Sequence, residues 1–335
     1  MRKTKFVSSV IALALSAMSY SGNVYASDKI TFVLNWFPTA DHSPYYYAKE
    51  NGWYTDAGLD VKIETAKGSA ASSQRIGLGQ AQLGVADLPT AFIARGKGID
   101  MVAVMAIYAN SPQGFYWRKS VSGINTPKDF PGHSIGNPPG DAARAMWPAF
   151  AQAVGIPVDS VKFVNIAPQA KMPSLMSNQI DITSDFYNGH DLKLDKIGDD
   201  MGFVAWRDVG VNPYGNSIFA NTKYLKSHGK NVAKFIAVTQ KAFNACANNH
   251  APCIDALLKN VSGKNRDRQM DQWLRVEELM STEQTRTKAL GYLDPAGLEA
   301  TYELVNKYFK LDKPFDVKTA FTNEYLDDQL KAPGK

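Results

Sequence analysis

Amide and aromatic side chains stand directly after an apolar run near the start of this chain. Residues 30–34 have the pattern of a short strand, and Asn35 and Trp36 follow it. An indole ring at a strand end can stack on a flat ligand, and its N–H can donate a hydrogen bond. The alternatives are that Trp36 belongs to the rim or the core and that Asn35 only ends the strand. We predict that both residues bind a ligand.

Four carboxylates occupy similar positions, next to predicted strand ends or helix starts: Asp41, Asp87, Asp141 and Asp185. A carboxylate that accepts a hydrogen bond from a ligand amino group contributes ~1.5–3 kcal/mol. His42, beside Asp41, could stack on the ligand or donate to it. Ordinary interpretations exist for all five, because Asp87 and Asp141 can cap helices and the others can be solvated loop residues. We predict that all five line a binding site.

Four further candidates lie on the same predicted loops: Tyr108, Asn137, Phe186 and Tyr187. Phe186 and Tyr187 could form the second face of an aromatic sandwich, with a solvated turn as the alternative. No Arg or Lys lies on these short motifs, since Arg144 is one turn inside its helix. An anionic ligand normally needs Arg or free backbone donors at helix starts. The residues therefore favour a neutral or cationic flat ring that carries amino groups.

Two familiar signatures of catalysis are missing from the sequence. It contains no P-loop or H-E-x-x-H motif, and its five histidines are scattered. We therefore predict no catalytic residue, no metal site and no cofactor. The two cysteines, Cys246 and Cys253, are predicted to form a disulfide that staples two helices. Zinc binding with His250 is the alternative, although two Cys and one His fall short of a structural zinc set.

Strands alternate with helices through the first two thirds of the chain, which is typical of parallel α/β sheets. The predicted strands are 30–34, 59–64, 83–86, 101–107, 134–136, 161–165, 180–184 and 203–206. From Thr222 onward only helices are predicted. Two extended segments, 113–118 and 210–220, are candidates for strands that cross between two lobes. Lobe 1 would comprise 27–112 and 214–335, and lobe 2 would be the insert 113–213.

The first 26 residues have the pattern of a cleavable signal peptide. Three basic residues precede the apolar run 6–18, and a small-x-small pattern at 24–26 predicts cleavage before Ser27. An uncleaved anchor is the alternative, but the run is shorter than the ~20 residues of a membrane span. Cleavage leaves 34 basic and 32 acidic residues, with no basic stripe interleaved with aromatics. We predict a periplasmic protein that does not bind nucleic acid.

Five segments, in this order, resemble periplasmic substrate-binding proteins for thiamine pyrimidine precursors and their sulfonate- and nitrate-binding relatives. They are NWFPTADHSP (35–44), KENGWY (49–54), GLDV (58–61), GQAQLGV (79–85) and GINTPKDFPG (123–132). The resemblance implies an α/β, bilobal periplasmic binding protein of type II-like form. Its two parallel-rich sheets would have flanking helices and a two-strand hinge. It also implies a carrier, expected to be a monomer, that closes over a small molecule, docks on an ABC permease and catalyses no reaction.

One loop departs from the sulfonate and nitrate relatives, which commonly carry small Ser or Thr residues there. In the loop 137–142 of this chain, Asp141 would repel an anion and use the backbone donors of the helix start itself. We therefore expect a thiamine precursor of the aminopyrimidine type or another amino heteroaromatic.

Several alternatives stay open at the level of sequence. The ligand could be an aliphatic sulfonate, nitrate, a riboflavin-type precursor or an aromatic carboxylate, because the fold does not fix the ligand. A surface adhesin or scaffold is a further alternative. An enzyme that makes the thiamine pyrimidine is the remote one. The related fungal enzymes use a Cys-rich motif with iron, which two cysteines do not match.

Overall fold

Ten β-strands carry the fold in the computed structural model, which describes residues 27–309 and 311–334. They are β1 (Asp28–Leu34), β2 (Leu59–Thr65), β3 (Leu83–Asp87), β4 (Met101–Ala106), β5 (Gln113–Arg118), β6 (Ser134–Asn137), β7 (Lys162–Asn165), β8 (Ile182–Phe186), β9 (Met201–Ala205) and β10 (Asn216–Asn221). All eight predicted strands are present, and their ends differ from the prediction by at most two residues. The predicted signal peptide, 1–26, lies outside the described residues.

The strands form two mixed sheets with equivalent layouts. The first sheet has the order β2-β1-β3-β10-β4 and the second the order β7-β6-β8-β5-β9. In each sheet one strand, β10 or β5, runs antiparallel to both of its neighbours. Strands β3, β4 and β10 are buried along their whole length, as expected of strands covered by helices on both faces. The predicted α/β class with two parallel-rich sheets is confirmed.

The chain passes between the sheets twice. It leaves β4 for β5 through residues 107–112 and returns from β9 to β10 through residues 206–215. The predicted crossing strands correspond to β5 and β10. Each of them pairs with two neighbours within a single sheet. The crossing is therefore made by the segments that precede them, 107–112 and 206–215. These segments lie side by side, since Ser111 N–H donates to Asn212 Oδ1 at 2.8 Å.

The described residues form fifteen α-helices, six of which follow β10. They are α1 (Ser43–Glu50), α2 (Trp53–Asp56), α3 (Ser69–Gly77), α4 (Leu88–Gly96), α5 (Lys119–Ser122), α6 (Ala142–Ala145), α7 (Trp147–Val154), α8 (Lys171–Met176), α9 (His190–Ile197), α10 (Thr222–Ser227), α11 (Gly229–Asn248), α12 (Ala251–Asn260), α13 (Arg266–Met280), α14 (Glu283–Thr287) and α15 (Pro295–Tyr308). Among these helices, none combines the length and apolar character needed to cross a membrane.

The helices after β10 cover the first sheet. Phe235 of α11 packs on Phe32 of β1, with ring centroids 4.9 Å apart. A disulfide joins Cys246 of α11 to Cys253 of α12, and the two Cα atoms are 5.8 Å apart. The disulfide therefore links neighbouring helices, and both cysteines are buried in the core of the first sheet's half.

Candidate ligand-binding site

A cavity of about 190 Å³ lies between the two sheets. Seven of the predicted binding residues line it: Asn35, Trp36, Asp41, His42, Asp141, Asp185 and Phe186. The first four follow β1, and the other three come from the second sheet, on the loop after β6 and the end of β8. Ligands of open α/β sheets bind at the carboxyl ends of strands, and these residues occupy such ends.

The side of the cavity formed by residues 35–42 and their neighbours on the first sheet is called the first wall here. Its polar groups form a neutral relay. Thr39 N–H donates to His42 Nδ1 at 3.1 Å, so the His42 proton is on Nε2, which lies 3.4 Å from Asn35 Oδ1. Asn35 Nδ2 then donates to Asn216 Oδ1 of β10 at 2.9 Å. Burial lowers the pKa of His42, which agrees with an uncharged ring.

Asp41 is the carboxylate of the first wall. Its side chain is 4% exposed. It accepts from Thr39 Oγ1 at 2.5 Å and from Asn188 Nδ2 of the second sheet's half at 3.5 Å. His42 Nδ1 lies 3.4 Å from Asp41 Oδ1, and among the described residues no Lys or Arg nitrogen lies within 4.0 Å of the carboxylate. Asp41 also attracts the more distant Lys264, which opposes the lowering of the Lys264 pKa by burial. Asp41 therefore lines the cavity as a carboxylate without a Lys or Arg in direct contact.

The side of the cavity formed by the second sheet, called the second wall here, contains paired charges. Asp141 caps α6 by accepting from Ala143 N–H at 3.0 Å, and its other oxygen lies 2.5 Å from Lys171 Nζ. Both side chains are buried. The Lys171 ammonium also lies 5.1 Å from the centroid of the Trp36 ring, within the range of a cation–π contact. Lys171 therefore joins the two walls.

A second ion pair stands beside the first. Lys193 Nζ lies 2.6 Å from Asp185 Oδ2 and donates to the Gly189 carbonyl oxygen at 3.1 Å. Burial alone would raise the pKa of Asp185, but the Lys193 and Lys171 ammonium groups outweigh it and hold that pKa below its ordinary value. Burial also lowers the pKa of Lys193, against the attraction of Asp185.

These lysines correct the sequence-based expectation of a site without basic residues. Lys171 and Lys193 line the cavity with Asp41, Asp141 and Asp185. Three carboxylates and two ammonium groups leave one formal negative charge, which belongs to Asp41. Both lysines come from helices, α8 and α9, and lie outside the short loops at the strand ends, so local motifs do not reveal them.

Two predicted binding residues of the first sheet do not line the cavity. Asp87 ends β3 and caps α4, accepting from Thr90 Oγ1 at 2.9 Å, and burial raises its pKa to about 7. Tyr108 is fully buried, with its ring centroid 6.2 Å from that of Phe186. Helix capping explains Asp87. Tyr108 packs in the core of the first sheet's half, where burial, with a further contribution from Asp41, raises the pKa of its hydroxyl.

Two predicted binding residues of the second sheet's half also do not line the cavity. Asn137 is fully buried and its Nδ2 lies 3.5 Å from Ser184 Oγ. Tyr187 Oη accepts from Arg275 Nη1 at 2.7 Å, and the guanidinium groups of Arg275 and Arg207 lie 5.0 and 4.3 Å from the ring centroid. Cation–π contacts with α13 and the segment after β9 therefore engage the Tyr187 ring.

The cavity also contains polar residues that the sequence did not single out. They come from several distant parts of the chain: Ser69, Gln113, Asn188, Asn216 and Gln272. Asn188 directly follows the predicted Phe186-Tyr187 pair, so its position after β8 is a local signal for it. Gln272 lies in the middle of α13 and has no local signal that separates it from a surface glutamine.

A solved structure shares this architecture. The alkanesulfonate-binding protein SsuA from Xanthomonas axonopodis pv. citri, solved with MOPS bound, matches with a TM-score of 0.68 and 14% identity, over 89% of this chain and 99% of that chain. The protein thus has the fold of the periplasmic binding proteins. Residues 39–251 match the family model described as NMT1/THI5 like. Because this is more than half of the sequence, the chain belongs to that family.

Two curated relatives cover most of the chain. The formylaminopyrimidine-binding protein of Halalkalibacterium halodurans is 24% identical over 271 residues, or 79% of this chain and 81% of that protein. A Legionella pneumophila protein named 4-amino-5-hydroxymethyl-2-methylpyrimidine phosphate synthase is 22% identical over 307 residues, or 90% of this chain and 93% of that protein. One name states binding and the other catalysis, so the site must decide the function.

Proposed function

We propose that this protein is the extracytoplasmic substrate-binding protein of an ABC importer. Its ligand is a small planar amino-heteroaromatic, such as a thiamine pyrimidine precursor. The observation that carries the proposal is the small cavity between two sheets that is lined by Trp36 and by Asp41, a carboxylate without a Lys or Arg nitrogen within 4.0 Å among the described residues. The relative named for formylaminopyrimidine supports the same ligand class.

Size and charge both favour this ligand. A cavity of about 190 Å³ is smaller than the ~300–1,000 Å³ of sites for drug-sized ligands, which suits one substituted ring. The net negative charge of the lining residues favours amino groups over sulfonate or nitrate oxygens. Trp36 and Phe186 line the cavity, and their rings provide flat apolar surface for stacking.

The proposed mechanism of transport is closure of two lobes on the ligand. Residues 27–112 and 214–335 form one lobe, residues 113–213 form the other, and the segments 107–112 and 206–215 act as the hinge. A ligand that touches both walls stabilises the closed arrangement through its additional contacts. Gly68 permits this close approach, because a Cβ at its position (φ +117°) would lie 2.6 Å from the Gly140 carbonyl oxygen. The closed form would then dock on the permease, after export directed by residues 1–26.

An anionic ligand is the second candidate, and the two buried lysines favour it. Lys171 or Lys193 could exchange its aspartate partner for a sulfonate or carboxylate of the ligand. Exchange at Lys171 would leave Asp141 buried without its cation, which is costly, and exchange at Lys193 would deprive the partly exposed Asp185 of its cation. The amino-heteroaromatic needs no such exchange, so it is the preferred ligand.

A carrier rather than an enzyme is proposed for the same site. The histidine of the cavity is held neutral within a relay of amides, and both cavity lysines are engaged by aspartates. None of these groups stands ready as a free base or nucleophile among the described residues. The proposal predicts that bound ligand is recovered chemically unchanged.

Calorimetry and native mass spectrometry test these proposals together. The protein is titrated with 4-amino-5-hydroxymethyl-2-methylpyrimidine, taurine and nitrate, and gently purified protein is weighed with whatever molecule it retains. Tight binding of the pyrimidine, and its recovery unchanged after long incubation, is the expected result. Tight binding of taurine or nitrate without the pyrimidine would replace the ligand class, and a converted product would replace the carrier by an enzyme.

A further inference from the structure

We propose that Gln272 of α13 contacts the ligand and determines its specificity by recognising an amino group next to a ring nitrogen. This inference rests on the proposed function and deepens it by naming a contact from the C-terminal part of the chain. Local sequence patterns do not mark Gln272, which lies about 230 residues after the β1 loop.

Gln272 carries a polar group that is buried in the cavity without a protein partner. The residue is 3% exposed and lines the cavity. Its Oε1 has no hydrogen-bond partner among the described residues. Buried polar groups in native proteins are nearly always hydrogen-bonded, so a ligand group is the natural partner for this amide.

Helix α13, which carries Gln272, contacts both halves of the molecule. Arg275 makes a bidentate ion pair with Asp191 of α9, at 2.9 and 3.0 Å, and Arg268 Nη1 lies 2.7 Å from Asp195 of the same helix. Residues three and four apart share a helix face, so these ion pairs flank Gln272 by about one turn on each side. Trp273, next to it, is fully buried in the core of the first sheet's half.

The carboxamide has the right groups for an amino-heteroaromatic edge. It presents an N–H donor and a carbonyl acceptor side by side, whichever way the amide is turned. An amino group beside a ring nitrogen presents the complementary acceptor and donor. The same two-bond pairing lets Asn and Gln recognise adenine in DNA. Gln272 would therefore select ligands with this edge over rings that lack the amino group.

Gln269 provides a matched control on the same helix. It is also 3% exposed, and its Oε1 also lacks a partner among the described residues, but it does not line the cavity. Gln272→Met and Gln269→Met remove the same group from the same helix, so any loss of packing is shared. Only the Gln272 substitution should affect the ligand.

The test measures the affinity of both variants and of the wild type for two probes. One is 4-amino-5-hydroxymethyl-2-methylpyrimidine, and the other is the same ring without the amino group. We expect Gln272→Met to weaken binding of the amino compound about tenfold or more and to change binding of the other probe less than about twofold. Gln269→Met should bind both probes like the wild type. Gln272→Glu, which keeps the shape but loses the donor, should also weaken binding of the amino compound.

Several results would overturn the inference. An equal loss for both probes in Gln272→Met, or an equal loss in Gln269→Met, would assign the effect to helix packing. Unchanged affinity of Gln272→Met for the amino compound would remove Gln272 from the site while leaving the proposed function in place. If the wild type binds neither pyrimidine, the proposed ligand class fails, and the Gln272 assignment fails with it.

Discussion

The two walls of the cavity use opposite chemistry. The first wall is a chain of neutral hydrogen bonds through His42 and Asn35, with one carboxylate, Asp41, that has no Lys or Arg nitrogen within 4.0 Å among the described residues. The second wall carries two Lys–Asp pairs, the buried pair of Asp141 with Lys171 and the pair of a partly exposed Asp185 with the buried Lys193. Both walls are polar, yet only the first wall adds net charge.

This difference separates the two roles that a binding site must fill. The paired charges of the second wall fix side chains in place and cancel one another, so they shape the cavity without favouring a cation or an anion. Asp41, which has no such partner in direct contact, then favours a ligand that donates a hydrogen bond. The comparison predicts that mutations in the second wall mainly change stability, whereas mutations in the first wall mainly change affinity.

Lys171→Met is expected to destabilise the protein strongly, because it leaves Asp141 buried without its cation. Breaking a buried pair by removing one partner destabilises proteins by ~3 kcal/mol or more. Urea unfolding should show this loss in the free energy of unfolding. The double variant Lys171→Met with Asp141→Asn removes both charges and keeps a residue that can cap α6, so it should recover most of the loss. Equal stability of the single variant and the wild type would contradict the description of the second wall.

The pH dependence of stability tests the carboxylate that lies behind the first wall. Burial raises the pKa of Asp87 to about 7 from an ordinary value of 3.8, so the folded protein holds a proton that the unfolded chain has lost. The stabilisation is complete below about pH 4 and is lost as pH rises towards about 7, at up to ~1.4 kcal/mol per pH unit. Asp87→Asn keeps the cap and removes the titration. Its free energy of unfolding should therefore gain on that of the wild type over this range, and parallel curves would contradict the raised pKa.

Trp36→Ala is expected to weaken pyrimidine binding at least tenfold, or ~1.4 kcal/mol, because it removes the stacking surface of the first wall. Calorimetry with 4-amino-5-hydroxymethyl-2-methylpyrimidine measures the change. Trp53→Ala is the control. Trp53 also has a lysine over its ring, with Lys241 Nζ 3.9 Å from the centroid, but it does not line the cavity. A loss of equal size in both variants would show that Trp36 acts through stability alone.

Local sequence pattern was sufficient for the strands and for the first wall. Alternating apolar strands and capped helices can be recognised without knowing the fold, and Trp36, Asp41 and His42 are neighbours along the chain after β1. The same reasoning placed Asp87 in the site, although its side chain turns back to Thr90. A cap and a ligand contact look alike in sequence, because both need a carboxylate between a strand and a helix.

The second wall depended on contacts that no local pattern reveals. Lys171 and Asp141 are thirty residues apart in the chain, and their pairing exists only once α8 packs beside the β6–α6 loop. Gln272 is further still from its cavity neighbours. The sequence predicts a loop at Asp185 and Phe186. In the structure β8 extends through both residues, because β5 pairs with β8 as far as Phe186. Residues of the site that meet only through long-range contacts therefore could not be predicted from local sequence.

Arg275→Met should have the smallest effect of the four, and it tests whether α13 couples the walls. The Arg275–Asp191 pair links the first sheet's half to α9, but both side chains are partly exposed, so we expect a loss of at most ~1 kcal/mol, or about fivefold in pyrimidine affinity. Small-angle scattering should show a more open average shape at subsaturating ligand. Arg266→Met is the control, because Arg266 pairs with Asp255 of α12, within one half of the molecule. Equal losses of affinity in both variants would show that Arg275 only stabilises its own half of the molecule and that α13 does not couple the two walls.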